Sequence, residues 1–283
     1  MLSRVPDDLY HRAEPAADAS LTLRYLGTAG FVLEADGTTL VIDPFVTRPG
    51  LWTTAFRRLV PNAALIAQVL PRADHVLIGH AHHDHVLDGP TLCQQTGAQF
   101  IGSPSACNVA RAAGLSESQI RATRGREDIE VGAGTARGLP SRHGKVYFGR
   151  IPLPGDITEP PPWPPRYNEL RHGLVLNWHV TLGGVTMVHI DSADFIEEEL
   201  EGLTCDVLCL CAIGRNYRPG YTETAIAMLK PKLVVPCHWD WFFTPYHATP
   251  KCLPGVDIAG FVDEIRACGA EVAVLPFEGV LGL

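Results

Sequence analysis

The apolar residues of this chain come mostly in short runs bounded by Gly, Pro, Asp or Asn, the pattern of strands joined by turns. Residues 21–26 alternate and lead into a turn at Gly27-Thr28-Ala29-Gly30. Residues 31–35 and 38–43 flank Asp36-Gly37, a dipeptide that supplies the positive φ angles of a type I′ hairpin turn. Strands are expected at 75–79 and 100–102. Helices are expected at 63–70, between an Asp88 cap and a terminal Gly97, and from Ser103 or Ser105 to Ala113. Residues 129–131 and 135–137 read as a hairpin, and so do 174–181 and 185–191 about Gly183-Gly184. The hairpins at 31–43 and 174–191 each end in an aspartate, Asp43 or Asp191, which suits a domain of two similar halves. Residues 207–211 and 233–236 are buried strands. Thr222 is expected to cap a helix to Leu229, a helix follows at 256–268, and 271–275 is the last strand. Hairpins mixed with helix-linked strands imply an α/β chain of two mixed sheets with helices outside.

One stretch is loaded with chemistry. After the apolar run at 75–79 comes His80-Ala81-His82-His83-Asp84-His85. His80 and His82 are two apart, so on extended backbone both rings leave by one face. Asp84 and His85 can join them only if the chain turns beyond the strand, so the stretch is expected to be a loop rather than part of a helix. Neutral imidazole and carboxylate are ligands for a borderline cation such as zinc, at roughly 2.0–2.2 Å. Five potential ligands in six residues exceed what one tetrahedral ion needs, which points to two metals.

The spacing H-x-H-x-D-H resembles the signature of the metallo-β-lactamase superfamily of metal-dependent hydrolases, matched here by His80, His82, Asp84 and His85. The resemblance asks for a third His, a bridging Asp and a final His at later strand ends, contexts occupied by His143, Asp191 and His238. It implies the αββα sandwich. It also implies that His80, His82 and His143 hold one divalent ion and Asp84, His85 and His238 the other, with Asp191 bridging and a shared hydroxide as nucleophile. Zinc is the expected metal, with manganese or iron next. Asp43 is expected to orient a ligand His through its other ring nitrogen. The runs Leu26-Gly27-Thr28-Ala29-Gly30-Phe31 and Leu40-Val41-Ile42-Asp43-Pro44-Phe45 look like the branch containing ascorbate phosphate lactonase and N-acyl-phosphatidylethanolamine phospholipase D. That likeness implies a phosphodiester or a (phosphorylated) lactone as substrate. The di-iron oxidoreductase branch of the fold usually has Glu where His82 stands and carries a flavin domain, and this chain shows neither. A non-catalytic metal-binding or sensor protein is the remaining alternative, against which the full ligand set argues.

Composition narrows the partners. With 46% apolar residues in 283 there is ample core material, and we expect an irregular arm at 1–20 and one domain at 21–283. The net charge of −8 disfavours a nucleic-acid backbone, leaving a small molecule, with an anionic group as one option. Asp7, Asp8, Glu14 and Asp18 rule out a signal peptide's apolar segment, and no run approaches a membrane span, so the cytoplasm is expected. The eight cysteines show no C-x-x-C pair and are expected reduced. Cys237 is a candidate to line the site. Arg215, Tyr217 and Arg218 in the 214–221 loop are candidates to bind an anionic group. His247 is a candidate to reach the pocket from beyond His238. Residues 151–165 hold seven prolines and are expected to cross near the site, where Trp163 is a candidate to touch substrate. His75, His179 and His189, inside apolar strands, read as structural, and Asp194 is a rival for the bridge.

Overall fold

The computed structural model describes residues 2–12 and 18–283. One sheet contains β1 (Thr22–Gly27), β2 (Gly30–Ala35), β3 (Thr38–Ile42), β4 (His75–Leu77), β5 (Gln99–Gly102), β6 (Ile120–Ala122) and, at its edge, β14 (Val280–Gly282). The other contains β7 (Asp128–Val131), β8 (Gly134–Ser141), β9 (Val175–Leu182), β10 (Val185–Ile190), β11 (Val207–Cys211), β12 (Leu233–Cys237) and β13 (Glu271–Val272). The helices are α1 (Leu51–Phe56), α2 (Ala63–Val69), α3 (His83–Val86), α4 (Gly89–Thr96), α5 (Pro104–Ala112), α6 (Tyr221–Leu229) and α7 (Ile258–Ala267). This is the expected sandwich of two mixed sheets flanked by helices.

The two sheets repeat one plan. In the first, β1, β2 and β3 pair antiparallel and β3 to β6 run parallel. In the second, β8, β9 and β10 pair antiparallel and β10 to β13 run parallel. Asp43 follows β3 and Asp191 follows β10, so each antiparallel-to-parallel switch leaves an aspartate at a strand's C-terminal end. Both expected glycine turns have positive φ at their two central residues, 49° and 75° at Asp36-Gly37 and 59° and 74° at Gly183-Gly184.

Period-2 alternation sorts the apolar residues between two cores. Leu40 and Ile42 of β3 and Leu77 of β4 join Leu176, Trp178, Val188 and Ile190 between the sheets. Val41, Val76 and Ile78 face outward against Ile66, Leu92 and Val109 from α2, α4 and α5. A sheet covered on both faces needs apolar residues at every position, which is why these strands read as unbroken runs.

Several local expectations need correction. The 80–85 stretch is not wholly loop, because residues 83–86 form the single helical turn α3. Asp88 occupies the N-cap of α4 but makes no cap bond; its carboxylate instead accepts from the backbone N–H groups of Val46 (2.7 Å) and Thr47 (2.8 Å). Gly220 rather than Thr222 precedes α6, and the Thr222 hydroxyl donates to Glu264 at 3.1 Å. Helix α1 lacked a sequence signal, having three large exposed apolar residues, Leu51, Trp52 and Phe56. The last strand is β14, paired with β1, beyond the 271–275 segment. Among the described residues of the first twenty, Val5 is buried in the inter-sheet core and Tyr10 bridges to Val274.

Candidate metal centre

Strand ends deliver the polar cluster. His80 leaves β4 through Gly79, whose N–H donates to Asp43 Oδ1 at 2.7 Å. The α3 turn then carries Asp84 and His85 back toward the same point, with His85 N–H bonded to the His82 carbonyl at 3.1 Å. His143 follows β8, Asp191 follows β10 and His238 follows β12. All seven are at least nine-tenths buried.

The donor atoms converge in three overlapping triads, His80/His82/His143, His80/His85/Asp191 and Asp84/His85/His238, each with its atoms within 4.8 Å of one another. His80 Nε2 faces His82 Nδ1 at 3.0 Å, and His80 Nδ1 faces Asp191 Oδ2 at 2.6 Å. Asp84 Oδ2 lies 3.3 Å from His238 Nε2 and 3.8 Å from His85 Nε2. Asp43 Oδ2 bonds His85 Nδ1 at 2.8 Å, leaving Nε2 free to ligate. The Gly144 carbonyl does the same for His143, accepting at Nδ1 over 2.8 Å.

The cluster is starved of protein partners. His82 Nε2, His238 Nδ1 and Asp191 Oδ1 are buried without a hydrogen bond among the described residues. Orphaned groups of this kind cost about 1–3 kcal/mol each unless something else satisfies them. Burial drives the imidazoles of His80, His82 and His85 well below their ordinary pKa, which keeps them in the neutral, ligating form. Burial alone would raise the Asp84 carboxyl, but the imidazoles of His83, His85 and His238 outweigh it and hold the carboxyl well below its ordinary value. Neutral imidazoles beside ionised carboxylate are a donor set that fits divalent cations. Burial, reinforced by the charge of Asp191, pushes the Asp43 carboxyl well up.

A cavity of about 150 Å³ opens over the cluster. Its walls beyond the histidine–aspartate cluster include Tyr147, Pro152, Tyr167, Ile213 and Phe242. Pro152 belongs to the proline-rich segment, so that loop does reach the site. Trp163 does not, being half-buried against the outer core of the first sheet. Arg215 is buried and its guanidinium is committed to Glu264 (3.2 Å) and the Asp257 carbonyl (3.1 Å). Tyr217 lies in an adjoining groove that shares Val146, Tyr147 and Ile213 with the cavity. Arg218 is bound to Asp194 and Glu197, which also removes Asp194 from the bridging position. His247 sits in a surface groove with Tyr10 and Phe277, because the chain after His238 turns back to bridge Asp240 with Cys252. Cys237 packs in the inter-sheet core, and Cys211 lines the cavity in its place. Among the described residues that line this cavity there is no Lys or Arg.

Three aromatic neighbours escaped sequence reading. His172 stacks on His143 at 5.4 Å and meets His82 edge-on at 5.8 Å. Tyr167 and Phe242 pack against His83 at 5.1 and 5.8 Å. None lies in a motif; only the proximity of Phe242 to His238 along the chain offered a signal.

A family model described as the Beta-lactamase superfamily domain matches residues 22–238. A UPF0173 metal-dependent hydrolase from Pyrobaculum arsenaticum is 28% identical over 226 residues, 78% of this chain and 85% of that one. Among solved structures, Igni18, a metallo hydrolase from Ignicoccus hospitalis, is similar with a TM-score of 0.62 at 20% identity, over 92% of this chain and 97% of that one. CmlA, a diiron β-hydroxylase from Streptomyces venezuelae, also reaches 0.62, at 16% identity over 95% of this chain and 55% of that one. At such identities these two structures show likeness of fold alone. The chain belongs to the β-lactamase superfamily and is, like the relatives it matches, a metal-dependent hydrolase.

Proposed function

We propose that this protein is a two-metal hydrolase of a small molecule, cleaving a lactone or a phosphodiester, in a single domain spanning 21–283. The observation that carries the reading is the set of three overlapping triads, which holds more buried donors than one tetrahedral ion uses. His80, His82 and His143 would bind one ion and Asp84, His85 and His238 the other, with Asp191 between them through its unpartnered Oδ1. Zinc suits this donor set best, with manganese as the alternative for a hydrolase. When bound, the pair would lower the pKa of a water toward 7 and polarise the attacked group.

The chain's own residues do the rest. Asp43 and the Gly144 carbonyl fix the tautomers of His85 and His143. Asp84, held ionised, serves as an acceptor rather than an acid. Tyr147, Tyr167, Ile213 and Phe242 shut water from the cavity and pack the body of the substrate. Because the lining holds no Lys or Arg, an anionic group fits over the ions and a distal phosphate finds no guanidinium, so the unphosphorylated lactone and the phosphodiester are favoured over the phosphorylated lactone. The likeness to the lactonase and phospholipase D branch supports the same bond classes. Eight free cysteines suit the cytoplasm, and no helix among the described residues is long and apolar enough to cross a membrane.

Metal-loaded protein assayed on bis-p-nitrophenyl phosphate and on a panel of lactones tests the substrate class. Turnover well above a His80→Ala control in one of the two supports it. Turnover in neither removes it. Elemental analysis near two ions per chain supports the two-metal reading, and two of iron would move the assignment toward oxidative chemistry.

A further inference from the structure

The Gly27–Gly30 turn and Arg48 take no part in the cavity, yet one buried network ties them to His238. Arg48 Nη1 donates to Asp240 Oδ2 at 2.8 Å with both side chains at 0% exposure, and Nη2 donates to Thr28 Oγ1 at 3.1 Å. The Thr28 N–H (2.6 Å) and the Tyr25 hydroxyl (2.9 Å) donate to the other carboxylate oxygen, Asp240 Oδ1. The Thr28 carbonyl then accepts the N–H of His238 at 2.5 Å. Phe277 lies under the guanidinium, 4.4 Å from ring centre to Cζ. Gly27 is what makes room: a β-carbon there would fall 2.1 Å from Arg48 Nη2.

The backbone along this network is unusual. Thr28, Arg48 and His238 all adopt left-handed φ, at 55°, 44° and 53°. Residues with a β-carbon hold that conformation only where their surroundings over-determine it. A fully buried ion pair is a weak source of net stability, since desolvation offsets most of the attraction. Fixing a geometry is the better account of its presence. Tyr25, Thr28 and Arg48 belong to the first half of the chain and His238 and Asp240 to the second, so the network joins the halves at the metal centre.

We propose that the Arg48–Asp240 pair is a positioning device for the His238 ligand. It clamps Thr28, whose carbonyl holds the His238 backbone left-handed and aims the imidazole at Asp84. This inference rests on the two-ion reading given above.

The experiment is a competitive chelator titration with zinc on wild type, Arg48→Lys, Thr28→Val and Ile66→Ala. Ile66 lies in the outer core, away from the centre, and its truncation is a control for general destabilisation. Arg48→Lys and Thr28→Val each weaken one of the two ions by about 10–100-fold, the range expected when a ligand loses its support, and leave the other unchanged. Ile66→Ala lowers Tm but leaves both affinities in place. Thr28→Val keeps the backbone bond to His238, so its effect is the smaller of the two. Equal weakening of both ions, no weakening, or the same split in Ile66→Ala overturns the assignment. A wild type that takes up only one zinc overturns the two-ion reading itself, and this is seen before any variant is made.

Discussion

Gly79 and Asp191 lie so close that a β-carbon at position 79 would sit 2.1 Å from Asp191 Oδ2. The same carbon would be 3.0 Å from Asp43 Oδ2. The glycine between strand β4 and His80 is therefore where two aspartates from different sheets approach the backbone. Gly79→Ala should displace Asp191, costing about 1–3 kcal/mol of stability from overpacking and lowering metal content. Elemental analysis beside thermal unfolding checks this, and a variant with full metal and unchanged Tm would contradict it.

Asp43 acts on His85 through a hydrogen bond, so its substitution should damage metal binding more than folding. In Asp43→Asn an amide N–H₂ can face Nδ1 and favour the tautomer that protonates Nε2. We expect metal affinity to fall by roughly 10–100-fold, read by chelator competition, with the far-ultraviolet circular dichroism unchanged.

Burial pushes the Asp88 carboxyl up to about 6, although it accepts bonds from Val46 and Thr47. A carboxyl raised in the folded state binds its proton more tightly there than in the unfolded chain. Its contribution is thus complete below the unfolded value near 4 and is lost as pH rises through 6, about 3 kcal/mol in all. Asp88→Asn cannot titrate. The difference in urea-unfolding free energy between wild type and this variant should therefore shift by about that amount from pH 4 to pH 7, and parallel curves would refute the burial argument.

Arg215 lies at 5% side-chain exposure against Glu264, whose side chain is 38% exposed. Arg215→Met should cost roughly 2–3 kcal/mol, less than a wholly buried pair because the carboxylate keeps some solvent. KM for whichever substrate is turned over should stay within about twofold, since the guanidinium does not line the cavity. A large rise in KM at unchanged Tm would return Arg215 to substrate binding.

Phe242 meets both His83 (5.8 Å) and His238 (5.9 Å) and walls the cavity. Phe242→Ala should raise KM several-fold and leave the metal stoichiometry intact, because it removes packing surface and no donor atom. Loss of metal in this variant would show that the ring holds His238 rather than substrate.

Much of this protein was legible along the chain. The strands of both halves, their two-residue glycine turns and the H-x-H-x-D-H stretch are local patterns, set by side-chain alternation, positive φ and ligand spacing over a few residues. Asp43 and Asp191 could be picked out because each ends an apolar run, and the ends of parallel strands are where an α/β sheet collects its site. What only the tertiary structure decided was where isolated polar and aromatic groups go. Arg215 finds Glu264 across 49 residues, Arg48 finds Asp240 across 192, and His172 stacks on His143 from a loop with no periodic signal. A lone side chain has no period to betray its surroundings, and its partner is chosen by how the two halves dock. The chain thus specified the residue types of the buried histidine–aspartate cluster by itself, whereas the cavity walls and the network behind His238 came from packing.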